Sequence, residues 1–258
     1  MNGNDIKRIF EEIYPTSFAY NWDNVGLQVG TLNKDINNIL LSLDLTEEVI
    51  KEAIKKSVEL IIVHHPMIFS GIKSIKTDSP IGKMISLLIK NDITLYVAHT
   101  NFDISNRGMN RILADMLDIH DQEILEYTTD DEGLGIIGNI SEKTDMSTVI
   151  NNIKSVFNIS TAKLIGDINK KVKRIAIAGG SGSSLINLAK VNKADLYISG
   201  DITYHHALEA KSIGLNVLDI GHNIEKNALP KLQSILCGLM PECEILLSEI
   251  NTNPYKEV

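Results

Sequence analysis

Short runs of apolar, often β-branched residues alternate along the chain with stretches whose apolar positions recur at helical spacing. The runs lie at 39–43, 60–63, 93–97, 174–178, 195–198 and 216–220. Runs of this length without polar alternation predict strands covered on both faces. Between them, spacing such as Val49, Ile50, Ala53 and Ile54 predicts crossover helices. The first of these is opened by an apparent capping box of Asp44 and Glu47. Strands and helices alternating in this way predict an α/β fold with mainly parallel sheets. A faint repeat adds to this. ILLSLD (39–44) is followed 21 positions later by LIIVHH (60–65), and IAIAGG (175–180) 20 positions later by DLYISG (195–200). Two similar α/β lobes from an apparent duplication are expected. The acidic stretch 128–138, punctuated by Gly133, Gly135 and Gly138, is the expected junction between them.

Composition narrows the classes. A chain of 258 residues with 43% hydrophobic and 22% charged residues has the makings of a packed core, in one large domain or two smaller ones. A formal charge of −8 argues against nucleic acid as a partner, since backbone binding needs concentrated positive charge. The one basic cluster, Lys170, Lys171, Lys173 and Arg174, reads as solvated surface. No apolar run is long enough to span a membrane, and the acidic-polar start lacks the layout of a signal peptide. Cys237 and Cys243 make no disulfide framework and read as buried small hydrophobes. A cytoplasmic protein is expected.

Candidate chemistry gathers where the strands end. After the run at 60–63 come His64 and His65; after 93–97 come His99 and Asp103; after 216–220 come His222 and Glu225. Six of the seven histidines lie within a few residues of such an end, which is where open α/β sheets bind ligands. Adjacent residues in a strand point to opposite faces, so His64 and His65 can serve one site only if the chain turns before Pro66. One core and one surface histidine is the plainer alternative. His222 and Glu225, three apart at a helix start, share a face; a carboxylate in a first turn also complements the helix dipole without any ligand. Asp103 suits a ligand or a cap. Three imidazoles with two carboxylates suit ions such as Zn²⁺, Mn²⁺ or Fe. The glycine-rich stretch 179–184 can cradle an anion on its amides or simply make a tight turn. His205 and His206 suit acid–base work or an exposed helix start. In NWDNVGLQ (21–28), Asp23 and Asn24 read as turn residues and Trp22 as a core plug.

Taken in order, NWDNVGLQVG (21–30), SLDLT (42–46), IIVHHPMIF (61–69), VAHTNFD (97–103), AGGSGSS (178–184), YISGDITYHHALEA (197–210), DIGHNIEK (219–226) and SEINTNPY (248–255) resemble the Nif three-like family. Its name expands to NGG-one-interacting factor three, and many bacterial members carry the label GTP cyclohydrolase 1 type 2. The resemblance runs from about residue 6 to residue 255. It implies a metal site in the cleft between two lobes. The first lobe would span 1–126 and be completed by a C-terminal return at about 222–258; the second would span 127–221. It carries the ligand role for two divalent ions per subunit (Zn, Mn or Fe) onto His64, His65, Asp103, His222 and Glu225. It also implies a toroidal homohexamer. His205 matches the family's tyrosine-histidine motif and is the expected proton donor. The implied activity is metal-dependent hydrolysis of a nucleotide-like substrate, with Gly180, Ser181 and Gly182 holding a phosphate. A non-catalytic metal scaffold or regulatory ring, and a metal-dependent phosphoesterase, are the alternatives.

Overall fold

The computed structural model describes residues 1–256. The chain packs as two compact units, one formed by 1–102 together with the stretch from Leu229 onward, the other by Asp103–Ala228. In the first unit the order is α1 (Gly3–Glu11), β1 (Gly26–Val29), β2 (Asn38–Ser42), α2 (Glu47–Lys55), β3 (Leu60–Val63), α3 (Pro80–Lys90) and β4 (Thr94–Val97). Helix α4 (Thr100–Ile104) carries the chain onward. The second unit holds α5 (Met109–Met116), β5 (His120–Tyr127), β6 (Gly133–Asp145), α6 (Met146–Val156), β7 (Lys163–Ile165) and β8 (Lys171–Ser181). It continues with α7 (Ile186–Val191), β9 (Leu196–Gly200), α8 (Tyr204–Ser212), β10 (Asn216–Asp219) and a 3₁₀ helix at His222–Ala228. Helix α9 (Leu229–Leu239) and β11 (Glu244–Leu247) return to the first unit.

All six apolar runs match strands to within a residue, β2, β3, β4, β8, β9 and β10. In the first unit the sheet order is β1-β4-β3-β2-β11, parallel except for the edge strand β1. Its inner strands β4, β3 and β2 are buried on both faces. Leu40, Ile61, Val63, Leu95 and Val97 pack against Val49, Ile50 and Ala53 of α2 and Ile85 and Leu88 of α3, while α9 packs on β2 and β11. Ile54 is exposed instead of joining that face. Thr46, not Asp44, caps α2, its hydroxyl accepting from Val49 N at 3.3 Å. Threonine at that position leaves the Asp44 carboxylate for other work.

The second sheet corrects the expectation of mainly parallel pairing. Its order is β5-β6-β8-β9-β10-β7, and only β8-β9 and β9-β10 are parallel. The stretch 128–138, read as a lobe junction, is the turn and return strand of the β5-β6 hairpin. These strands escaped the apolar-run criterion because one side faces solvent and the run is broken by polar residues. Both repeated pairs, β2-β3 and β8-β9, are parallel neighbours linked through a helix.

Three further readings change. Trp22 is 58% exposed and is no core plug. Cys237 is exposed, whereas Cys243 is buried with its thiol 3.5 Å from the Ile36 carbonyl. In the basic cluster, Lys170 and Lys171 are exposed as expected, but Lys173 donates to the Ile140 and Ser141 carbonyls, and Arg174 to the Asn192 carbonyl and Glu123. No helix among the described residues is long and apolar enough to cross a membrane.

Candidate metal centre

In the first unit, strand β3 stops at Val63, so His64 and His65 stand beyond the regular ladder. Their backbone is still held: His64 N donates to Ser42 O and Leu43 O, and His65 N to Leu43 O at 3.0 Å. Leaving the strand removes the alternation that would send the rings apart, and their centroids lie 4.8 Å apart. His99, just past β4, brings a third ring to 5.1 Å from His64 and 5.7 Å from His65. Donor atoms of these three histidines all lie within 4.8 Å of one another.

Each ring is anchored through Nδ1. His64 Nδ1 lies 2.8 Å from Ala98 O, His65 Nδ1 2.7 Å from Asp44 Oδ1, and His99 Nδ1 2.9 Å from Asp23 Oδ1. Carbonyl and ionised carboxylate oxygens only accept, so the proton sits on Nδ1. The neutral ring then carries its lone pair on Nε2, the tautomer seen when an anchored imidazole ligates a metal. The carboxylates are themselves well held. Burial pushes the Asp44 carboxyl up, but hydrogen bonds from His65 and Thr252 bring it below its ordinary value. Asp23, with its side chain fully buried, also accepts from Asn24 N, Thr100 N and Thr100 Oγ1. Burial opposes its ionisation, yet the His99 and Thr100 bonds win and hold its pKa at about 2. Sequence reasoning missed both supporting carboxylates, since Asp44 looked like a cap and Asp23 like a turn residue.

The second unit repeats the device. Gly221, at φ +81°, turns the chain out of β10 and donates to Asp219 Oδ1 at 3.0 Å. The helix that follows is 3₁₀, in which side chains three apart eclipse. His222 Nε2 accordingly lies 3.3 Å from Glu225 Oε2. His222 Nδ1 is 2.7 Å from Asp201 Oδ2, a residue at φ +52° just after β9. Glu225 is buried, and its carboxylate is packed over Gly180. A β-carbon at Gly180 would stand 2.5 Å from Glu225 Oε1, and Gly180 itself has φ +60°. Asp103 lies within α4; its carbonyl accepts from Asn110 Nδ2, and Asn110 Oδ1 accepts from Gly179 N at 2.8 Å.

The glycine stretch leads from a strand into a helical turn: Gly179, Gly180 and Ser181 end β8, with Ser181 paired to Gly200, and Ser183–Leu185 form a 3₁₀ turn that runs into α7. The Gly182 amide donates to Ser199 Oγ and the Gly179 amide to Asn110, so two amides of the expected anion cradle are already used. Room for Glu225 is what Gly180 supplies. His205 stands exposed in the first turn of α8, its ring edge-on to Tyr204 at 5.8 Å. His206 meets the capping residue Thr203, Nδ1 to Oγ1 at 2.9 Å.

Imidazoles held at Nδ1 by oxygen atoms, with carboxylates beside them, mark a protein of mixed α/β fold whose histidine and glutamate groups can hold a metal ion. Comparison with known proteins is consistent with that class. Residues 1–254 match the family described as Duf34/NIF3 (NGG1p interacting factor 3), and the chain belongs to it. It is 41% identical over 260 residues to a Clostridium perfringens protein called "GTP cyclohydrolase 1 type 2 homolog", covering 99% of each chain. It is 37% identical to a Streptococcus pneumoniae protein of the same name, covering 100% of both. Among solved structures it resembles a Bacillus cereus protein related to NIF3, with TM-score 0.95 at 29% identity, covering 100% of this chain and 99% of that one.

Proposed function

We propose that this protein is a metal-dependent hydrolase of nucleotide-like substrates, holding two divalent ions per subunit on His64, His65, Asp103, His222 and Glu225. The observation that supports it most is the Nδ1 anchoring of His64, His65 and His222 on acceptor oxygens, two of them carboxylates. Such outer partners orient a ligating ring and raise its basicity. The donor chemistry, imidazole with carboxylate, suits zinc, manganese or iron. The names of the relatives point to GTP as the substrate to try first.

A bound divalent ion supplies Lewis acidity and lowers the pKa of its water from 15.7 to about 7. The protein's part is to fix the donors. Asp44 and Asp201 orient His65 and His222, Gly180 gives Glu225 its place, and Asn110 ties the Asp103 helix to the Gly179 strand. In this reading His205 delivers a proton to the leaving group, and an anion rests near Gly180, Ser181 and Gly182. The Glu225 carboxylate beside Gly180 would repel that anion unless metal charge offsets it. A homohexameric ring is the assembled form in the same reading.

The test is incubation of metal-loaded protein with GTP, followed by mass spectrometry of the products. Ring opening gives a product one water heavier than GTP, and the turnover is lost in His65→Ala and Glu225→Ala. Phosphate release dependent on the same residues would point instead to a phosphoesterase. Absence of any turnover that these residues control would overturn the hydrolase reading for GTP.

A further inference from the structure

We infer that Trp22 and Phe69 form a stacking platform for the purine ring of a nucleotide, with Lys73 and Lys76 on the adjoining segment supplying cations for its phosphate. The choice of ligand rests on the nucleotide reading above.

The two rings are left in water together. Trp22 is 58% exposed and Phe69 52%, with centroids 5.9 Å apart. A lone apolar side chain on a surface is ordinary, whereas adjoining exposed aromatic rings mark a binding surface. Tyr20 stacks on Trp22 at 5.5 Å with the planes 16° apart, so one indole face is covered and the exposure falls on the other face and the rim. His99 meets the indole edge-on at 6.3 Å, which sets the platform beside the imidazoles that follow β3 and β4.

The backbone under both rings is fixed. Asp23 N donates to Tyr20 O at 2.9 Å and Tyr20 N to Thr100 Oγ1 at 3.2 Å, closing the turn that carries Trp22. The segment that carries Phe69 is clamped to this turn by two amides. Gln28 accepts from Ile68 N at 2.9 Å and donates to Ile68 O at 3.0 Å and Asn24 O at 2.9 Å. Asn24 Nδ2 donates to the same Ile68 carbonyl at 2.6 Å. Asn24 and Gln28 thus act as positioning residues that hold the two rings together before a ligand arrives, which removes an ordering cost from binding.

An aromatic face takes a flat heteroaromatic ring, and every nucleobase offers one. Charge favours a phosphorylated ligand. The chain beyond Phe69 runs through Lys73 and Lys76, both exposed and in no ion pair among the described residues, although the chain as a whole carries a formal charge of −8. Ammonium groups of this kind bind phosphate as point charges.

Trp22 is the chain's one tryptophan, so indole fluorescence of the full-length protein reads this position alone. The test is titration of metal-free wild-type protein with GMP, guanosine and ribose 5-phosphate. Saturable quenching is expected from GMP and, at higher concentration, from guanosine, and none from ribose 5-phosphate. Phe69→Ala is expected to weaken GMP binding by about 5–100-fold, the range found for removing one base-stacking ring. Lys73→Ala with Lys76→Ala should weaken GMP but leave guanosine unchanged. Quenching by GMP in a protein that does not turn over GTP would support the platform while the hydrolase reading falls. Turnover of GTP without quenching, and with KM unchanged in Trp22→Ala, would overturn the platform and leave the hydrolase reading standing. Equal quenching by ribose 5-phosphate, or indole emission that moves to the blue as protein concentration rises and resists acrylamide, would also overturn it, the latter by making Trp22 a contact between copies of the chain.

Discussion

Gly180 sits at φ +60°, and a β-carbon there would lie 2.5 Å from Glu225 Oε1 and 3.4 Å from His222 Nε2. Two penalties fall on Gly180→Ala. The left-handed backbone costs roughly 1–2 kcal/mol for a residue with a β-carbon, and the carboxylate has to move. The variant is expected to remain folded with a lowered thermal midpoint, while its affinity for Zn²⁺ falls by about tenfold or more, as for other changes that misplace a ligand. Calorimetry and chelator competition on the same preparation check both; unchanged affinity would show that Glu225 needs no such room. At this scale the candidate donors were legible in the sequence and their supports were not. His64, His65, His222 and Glu225 stand beside strand ends that hydropathy marks. The acceptors come from elsewhere in the chain. Asp44 lies 21 residues from His65, Asp201 21 from His222 and Asp23 76 from His99. No local spacing rule connects such pairs.

Among the elements, α2 and the segment after β11 are tied by one carboxylate. Glu52 accepts from Lys56 Nζ at 2.8 Å, Ser248 Oγ at 2.6 Å and Glu249 N at 3.0 Å. Burial opposes its ionisation, but these bonds outweigh it and hold the carboxyl below its ordinary value. A carboxyl depressed in the folded state stabilises that state above the ordinary glutamate pKa of about 4.3 and loses the contribution as pH falls below it. Urea unfolding at stepped pH should show a steeper acid loss of stability in the wild type than in Glu52→Gln. Equal slopes would deny Glu52 this role. The strands also show where hydropathy reading runs out. Those buried on both faces, β2, β3, β4, β8, β9 and β10, announce themselves as continuous apolar runs. Half-exposed β5 (HDQEILEY) and much of β6 mix polar with apolar positions and look like loop. Missing that hairpin is what made the second sheet seem parallel and the turn near Asp130 seem a junction.

For the whole molecule, the family match over residues 1–254 runs through both compact units. Each unit has histidines held at Nδ1 by an oxygen atom, and the proposed function requires the five residues named for ligation to hold two ions in every subunit. Native mass spectrometry of the protein reconstituted with Zn²⁺ checks this, because one spectrum reads both the subunit count and the ions per subunit. A hexamer with two ions per chain is expected in the wild type, and at most one ion per chain in His65→Ala and Glu225→Ala. A single ion per wild-type chain, or an ion count that those substitutions leave unchanged, would overturn the two-ion reading.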